Sequence, residues 1–316
     1  MNYARKYGRK VIMISLLLFV CILFGCDDEY YLNKETDKYS SMSILENKYE
    51  LLVEKKEKLE NEIQSLESEI DFYKTRIEEI KNEIDQEKEE IEKMYDVFNT
   101  LENKIMKGSV MVVHSAYENN GWWIFDDYDW IGGGQGSGFI IKEDSNYYYV
   151  LTNHHVVTVE QSTDKNTYKV YDYKRKSYDA TLLFSSDYYD MAVLRIKKTK
   201  SLNVNPLAKK NPEVDEVVYA LAYPGGQRNS ISTGKVKSYN FINITDYGKS
   251  NYEVLVYDAY AIGGSSGSMI INENYEVVGI HTWSNNSIDT NKDDYSSKGS
   301  PVEKIKEFLN KNGFNV

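Results

Sequence analysis

The sequence predicts a long coiled-coil helix, then an all-β domain of short strands in a sandwich or barrel, then a closing C-terminal helix. Three observations carry this. An apolar repeat of 3 and 4 runs from Leu59 to Ile105 without Gly or Pro. From Lys107 the texture changes to Gly-rich chain with short, regularly spaced β-rich runs. The last residues carry the start and stop signals of a helix.

The elements follow in chain order. Arg5, Lys6, Arg9 and Lys10 precede an apolar run, Val11 to Gly25, of about fifteen residues. That run is short for a span, which needs about 20 residues, and right for a signal segment. It ends Leu23-Phe24-Gly25-Cys26, which resembles a bacterial lipobox with Cys26 as the lipidated residue. Phe24 stands where a small residue is usual, so an uncleaved N-terminal anchor is the alternative. Either way the remainder is expected outside the cytoplasm and tethered to a membrane. Residues 27–43 are a polar linker.

The stalk is assigned to residues 44–106. Its a positions are mainly Ile (63, 70, 77, 84, 91 and 105), and its d positions include Leu59, Leu66, Tyr73, Ile80, Met94 and Leu101. A core of this kind pairs helices and predicts a homo-oligomer. At 1.5 Å per residue the helix would be about 90 Å long. Packing of the helix on its own domain is the alternative.

Residues 107–316 form the head. Its β-rich runs are Ser109–His114, Gly138–Ile141, Tyr147–Thr152, Ala192–Ile196, Glu216–Ala222, Glu253–Asp258 and Glu276–Thr282. At the end Ser300 is the candidate N-cap, with Pro301 at N1 and Glu303 at N3. Ile305, Phe308 and Leu309 make one apolar face, and Gly313 is the stop.

Net charge is −11, which repels phosphate backbones and argues against a nucleic-acid partner. Both cysteines, Cys21 and Cys26, lie in the N-terminal segment, so the head has no disulfide and no thiolate metal site. With four histidines in all, a His-rich metal site is not expected, and no cofactor is implied.

Three segments carry chemistry. Val150 to Val157 is an apolar strand ending in His154 and His155; Asp190 opens a second apolar strand; Gly263-Gly264-Ser265-Ser266-Gly267-Ser268 is a tight turn before Met269–Ile271. Peptide hydrolysis by a serine needs a base, a carboxylate to hold that base in one tautomer, and donors for an oxyanion. All the residue types are present, in the order His, Asp, Ser. Strand alternation turns one of the two adjacent histidines away.

These segments resemble the chymotrypsin-like (trypsin-like) serine proteases, in the bacterial HtrA (Deg) and glutamyl-endopeptidase branches. Thr152-Asn153-His154-His155-Val156, Asp190-Met191-Ala192-Val193-Leu194, Gly264-Ser265-Ser266-Gly267-Ser268 and Gly136-Ser137-Gly138-Phe139 each match a family motif, in the family's order. The resemblance implies a double β-barrel, with barrels at about 107–205 and 206–299 and a helix at 300–312. It implies Ser266 as nucleophile, His155 as general base and Asp190 as its partner. The N–H groups of Gly264 and Ser266 would form the oxyanion hole. Ser265, where pancreatic members have Asp, argues against activation by a freed N-terminus.

For the substrate pocket the resemblance points to Tyr260 as floor, with Ala261 beside it and His281 and Thr282 in the wall. His281 suits an acidic residue before the scissile bond; Tyr260 and Ala261 suit a small aliphatic one. Tyr223-Pro224-Gly225-Gly226 resembles a structural turn of the HtrA branch. The expected partners are a protein or peptide substrate, the membrane and further copies of the chain. A catalytically silent adaptor displaying a protease-like barrel on a coiled coil is the competing class.

Overall fold

The computed structural model describes residues 38–121, 126–198, 202–226, 230–241, 251–285 and 296–315, with side chains from Ser43 onward. Cys26 and its apolar segment, most of the linker, and Trp122 and Trp123 lie outside the described residues. The chain divides into two units, Met1–Gln86 and Glu87–Val316.

In the first unit a single helix, α1 (Lys38–Asn103), starts at Lys38 and continues past the unit boundary. Its repeat positions stay open: Ile63 is 48% exposed, Leu66 44% and Ile77 49%. The apolar stripe therefore has no cover within the described chain. Among the described residues no helix is long and apolar enough to cross a membrane.

The second unit begins with the end of α1. Here the same repeat changes role: Leu101 is fully buried, and Val97, Phe98 and Ile105 pack on the same core. A short 3-10 turn, Ile105–Gly108, then leads into the strands.

Among the described residues twelve strands follow, in two closed barrels. The first holds β1 (Ser109–Asn119), β2 (Tyr128–Glu143), β3 (Tyr147–Thr152), β4 (Lys165–Tyr171), β5 (Ser177–Ser186) and β6 (Met191–Lys197), in the order β1-β2-β3-β6-β5-β4. The second holds β7 (Val217–Ala222), β8 (Ser230–Phe241), β9 (Glu253–Tyr257), β10 (Met269–Ile271), β11 (Val277–Ser284) and β12 (Ser297–Pro301), in the order β7-β8-β9-β12-β11-β10. The two orders are the same, and closure removes the sheet edges. The expected double barrel with its preceding helix is thus the observed fold.

Strand periodicity explains why some strands read as continuous apolar runs. In β6, Ala192, Leu194 and Ile196 point into the first barrel, while Met191 and Val193 join the cluster between the barrels. In β3, Tyr148 and Val150 point inward and Leu151 outward to that cluster. Both faces are buried, so no polar alternation survives. The inter-barrel cluster also contains Phe139, Leu221, Met269, Ile280 and Phe308.

The C-terminal helix, α2, spans Val302–Lys311, with Ile305, Phe308 and Leu309 buried as expected. Its start differs from the expectation. The N-cap is Pro301, without a side-chain cap, and Ser300 belongs to β12. Pairing with Ile280 holds Ser300 extended, and its hydroxyl meets Tyr252 Oη at 2.6 Å instead of the helix N–H groups. The helix ends as predicted: Phe314 N–H bonds Leu309 O at 2.9 Å and Gly313 N–H bonds Asn310 O at 3.0 Å, the Schellman pattern.

Candidate active site

Antiparallel pairing brings the first two chemical segments together. β3 and β6 pair with Thr152 opposite Ala192, so the residues leaving β3 meet the residues entering β6. His155 Nδ1 lies 2.8 Å from Asp190 Oδ2 and 3.0 Å from Oδ1. The backbone N–H of His155 donates to the same Oδ1 at 3.1 Å. Asn153 Nδ2 donates to the Asp190 carbonyl at 2.8 Å. Asp190 is buried and has φ of 50°, a left-handed conformation unusual for a non-glycine residue. Such strain persists only where neighbours fix the backbone. Here Tyr252 Oη donates to the carbonyl of Tyr189, the preceding residue, at 3.0 Å.

The bonds to the Asp190 carboxylate come from His155. His154 is half-buried, its Nδ1 has no partner among the described residues, and burial pushes its pKa down. Its carbonyl accepts from Val157 N–H at 3.0 Å and Thr158 Oγ1 at 2.9 Å, which closes the turn after the strand.

The third segment is shaped by backbone. Ser265 N–H bonds Ile262 O and Ser268 N–H bonds Ser265 O, each at 2.9 Å, so two tight turns bracket Ser266. Gly264 has φ of 93° and Gly267 has φ of 85°. A Cβ on Gly264 would lie 2.7 Å from Gly225 N, and one on Gly267 would lie 2.2 Å from Ser137 O. Only glycine fits either place. Ser266 O accepts from Ser137 N–H at 2.7 Å, and Ser266 Oγ donates to Thr282 O at 3.3 Å. Gly136 measures how near the two barrels' segments come. A Cβ there would lie 2.6 Å from Val156, the residue after His155, and 2.7 Å from Ser266 O.

Peptide planarity fixes where the donors of this turn point, because N–H and C=O lie on opposite sides of a trans peptide. Gly263 O accepts from Gly225 N–H at 2.7 Å, which turns Gly264 N–H the other way. Ser265 O is held by Ser268 N–H, which does the same for Ser266 N–H. Neither N–H has an acceptor among the described residues. Two unengaged donors flanking a serine are what a developing oxyanion requires.

Of the pocket residues, Tyr260 is 62% exposed. The chain there is set by backbone: Tyr260 O accepts from Ser232 Oγ at 2.7 Å and Ala261 O from Ser284 Oγ at 2.9 Å. Ala261 itself is buried. His281 is buried on β11, with Nδ1 2.6 Å from Tyr257 Oη. Burial, helped by the nearby His155, pushes its pKa down to about 3. Thr282 is buried beside it, and its Oγ1 has no partner among the described residues. No group of three or more His, Cys, Asp or Glu side chains converges as a metal site among the described residues.

Two features have little sequence signal. The Ser137 hydroxyl joins Gly264 O at 2.8 Å and Tyr223 N–H at 2.9 Å, although its motif reads only as a barrel entry. The turn Pro224–Gly226 lies against the Ser266 loop through Gly225, a contact no local pattern encodes.

Residues 136–280 match the trypsin-like peptidase domain family. The chain is 30% identical to serine endoprotease DegS of Escherichia coli over 150 residues, 47% of this chain and 39% of that protein. It is 32% identical to serine protease HTRA1 of Xenopus laevis over 155 residues, 46% of this chain and 31% of that protein. To the periplasmic serine endoprotease DegP of Escherichia coli it is 29% identical over 160 residues, 48% of this chain and 32% of that protein. The chain thus spans less than half the length of these relatives.

Proposed function

We propose that the double barrel, whose residues 136–280 match the trypsin-like peptidase domain, is a serine peptidase of the HtrA and Deg type, and that the whole chain is a membrane-tethered, extracytoplasmic serine endopeptidase. The observation that carries the reading is the paired contact of His155 Nδ1 with both Asp190 oxygens, at 2.8 and 3.0 Å, beside the glycine-shaped Ser266 turn.

Asp190 keeps a proton on Nδ1 of His155 and leaves Nε2 as the base. The Ser266 hydroxyl gives up its long bond to Thr282 O and passes its proton to Nε2 as Oγ attacks the peptide carbonyl carbon. Gly264 and Ser266 N–H receive the negative oxygen. The C–N bond then breaks, and His155 returns the proton to the departing amine. A water repeats the sequence on the resulting ester, with His155 again as base, and frees Ser266.

His281 is buried with Nδ1 on Tyr257 Oη, and that burial pushes its pKa down, so the free chain presents no preformed imidazolium to a substrate carboxylate. A small uncharged residue before the scissile bond is the preference this supports. Profiling with a peptide library tests it; a dominant preference for Glu contradicts it.

Tethering rests on the basic and apolar N-terminal residues and on Cys26. Incorporation of a tritiated fatty acid by the wild type, and none by Cys26→Ala, is the expected result. Self-pairing rests on the uncovered stripe through Ile63, Ile70 and Ile77. Replacing Ile70 and Ile77 by Asn should shift the chain to monomer in sedimentation.

The activity itself is tested with a general protein substrate. Ser266→Ala should cost about a million-fold in turnover, by analogy with removal of a triad serine. An inert wild type would instead favour the silent adaptor.

A further inference from the structure

We propose that the side chain of Ser137 is a positioning group for the oxyanion loop, acting through the carbonyl of Gly264. This rests on the peptidase reading above and adds a residue to its machinery.

Ser137 lies on β2 in the first barrel and is fully buried. All its polar atoms are engaged. Its N–H donates to Ser266 O at 2.7 Å, and its carbonyl accepts from Thr152 Oγ1 at 2.7 Å. Its hydroxyl donates to Gly264 O at 2.8 Å and accepts from Tyr223 N–H at 2.9 Å. A carbonyl can only accept and an N–H can only donate, so the hydroxyl proton has one placement. The side chain thereby bridges the nucleophile turn to the strand end that begins Tyr223-Pro224-Gly225-Gly226.

The consequence for the site follows from two adjacent peptide planes. The plane between Gly263 and Gly264 is set by Gly225 N–H on Gly263 O at 2.7 Å. The plane between Gly264 and Ser265 is set by Ser137 Oγ on Gly264 O at 2.8 Å and by Ser265 N–H on Ile262 O at 2.9 Å. Gly264 is the joint between the planes, and glycine's freedom makes it the loop's softest point. With its carbonyl held at Ser137 and the preceding carbonyl at Gly225, Gly264 N–H has one direction left. Tyr223 N–H takes the opposite side of the same hydroxyl, so the strand end that presents Gly225 is fixed by the same side chain. Without that hydroxyl, Gly264 O and Tyr223 N–H lose a common partner in a buried site, and the loop gains a reason to rotate.

The test compares full-length wild type, Ser137→Ala and Ser137→Cys. Alanine keeps the N–H bond to Ser266 O and removes only the two hydroxyl bonds. Cysteine keeps the volume and a weak donor. Steady-state turnover of a peptide substrate is measured with the inhibition constant of a matching peptide aldehyde, whose hemiacetal oxygen occupies the oxyanion site. Ser137→Ala should lower kcat by about 10- to 100-fold with KM little changed, below the loss from deleting a donor outright. Aldehyde affinity should fall by the same factor, and Ser137→Cys should lie between. Unchanged kcat overturns the proposal. So does a lower kcat with unchanged aldehyde affinity, because a smaller folded fraction lowers apparent turnover without altering an inhibition constant. If Ser137→Ala does not fold, Ser137→Cys decides by the same two readouts, and wild-type values overturn the proposal. A wild type that neither turns over substrate nor binds aldehyde overturns the peptidase reading, and this inference with it.

Discussion

The two barrels share one strand order but hold their shares of the site by different means. The first presents side chains: His155 and Asp190 meet because β3 and β6 pair, and buried neighbours lock the aspartate. The second presents backbone: Ser266 sits between two tight turns, and the N–H groups of Gly264 and Ser266 owe their direction to Gly225 and Ser268. The first contribution fails by losing a functional group, the second by losing a conformation.

That contrast can be broken first on the side-chain half. Asp190→Asn should keep the fold and reduce kcat by about ten-thousand-fold, the scale for a triad histidine held in the wrong tautomer. Initial rates on a peptide substrate, with circular dichroism as the folding control, check this. On the backbone half, Gly264→Ala forces a Cβ to within 2.7 Å of Gly225 N at φ of 93°. Turnover should fall by about 100- to 1,000-fold, the scale of one lost oxyanion donor. Labelling by a fluorophosphonate, whose phosphoryl oxygen uses the same donors, should slow as well, while the labelled residue stays Ser266.

Smaller effects sharpen the picture. The unfolded chain protonates His281 near pH 6.5, whereas the folded chain resists protonation down to about pH 3. The folded pKa is depressed, so the neutral imidazole's contribution is full above pH 6.5 and is lost as pH falls toward 3. Within that window stability should decline by up to about 1.4 kcal/mol per pH unit from this residue alone. Denaturant melts at several pH values should show a shallower decline for His281→Asn. The smallest effect concerns the support behind Asp190. Tyr189 Oη donates to Glu307 Oε1 at 2.7 Å and ties α2 to the Asp190 turn. Tyr189→Phe should cost about 1 kcal/mol in a denaturant melt, with little change in kcat.

The same contrast explains what the sequence made legible. β3 and β6 were readable because both faces are buried and their runs are continuously apolar. The strands without an expected run are β4, β5, β8, β10 and β12. Lys165–Tyr171 and Ser230–Phe241 alternate poorly and carry Lys, Asn and Ser on faces open to water. Ser297–Pro301 is polar and contains Gly and Pro, yet it is paired on both sides with its ends held by hydroxyl bonds. The 3-and-4 repeat continued through Phe98, Leu101 and Ile105 without a break, although their burial is in the barrel unit's core. A repeat records which face is apolar and says nothing of what covers it. In the site, the residue types were legible as motifs. The Ser137 bridge was not, because its partners Gly264 and Tyr223 lie far off in the sequence.

Activation of Ser266 by His155 would make that one serine react with electrophilic phosphorus. The most direct measurement is mass spectrometry of the full-length protein after reaction with a fluorophosphonate, with the adduct mapped by peptide. A single phosphonyl group is expected on Ser266 in the wild type, none in Ser266→Ala, and strongly slowed labelling in His155→Ala. An adduct on another serine, or labelling that survives Ser266→Ala at the wild-type rate, would contradict it.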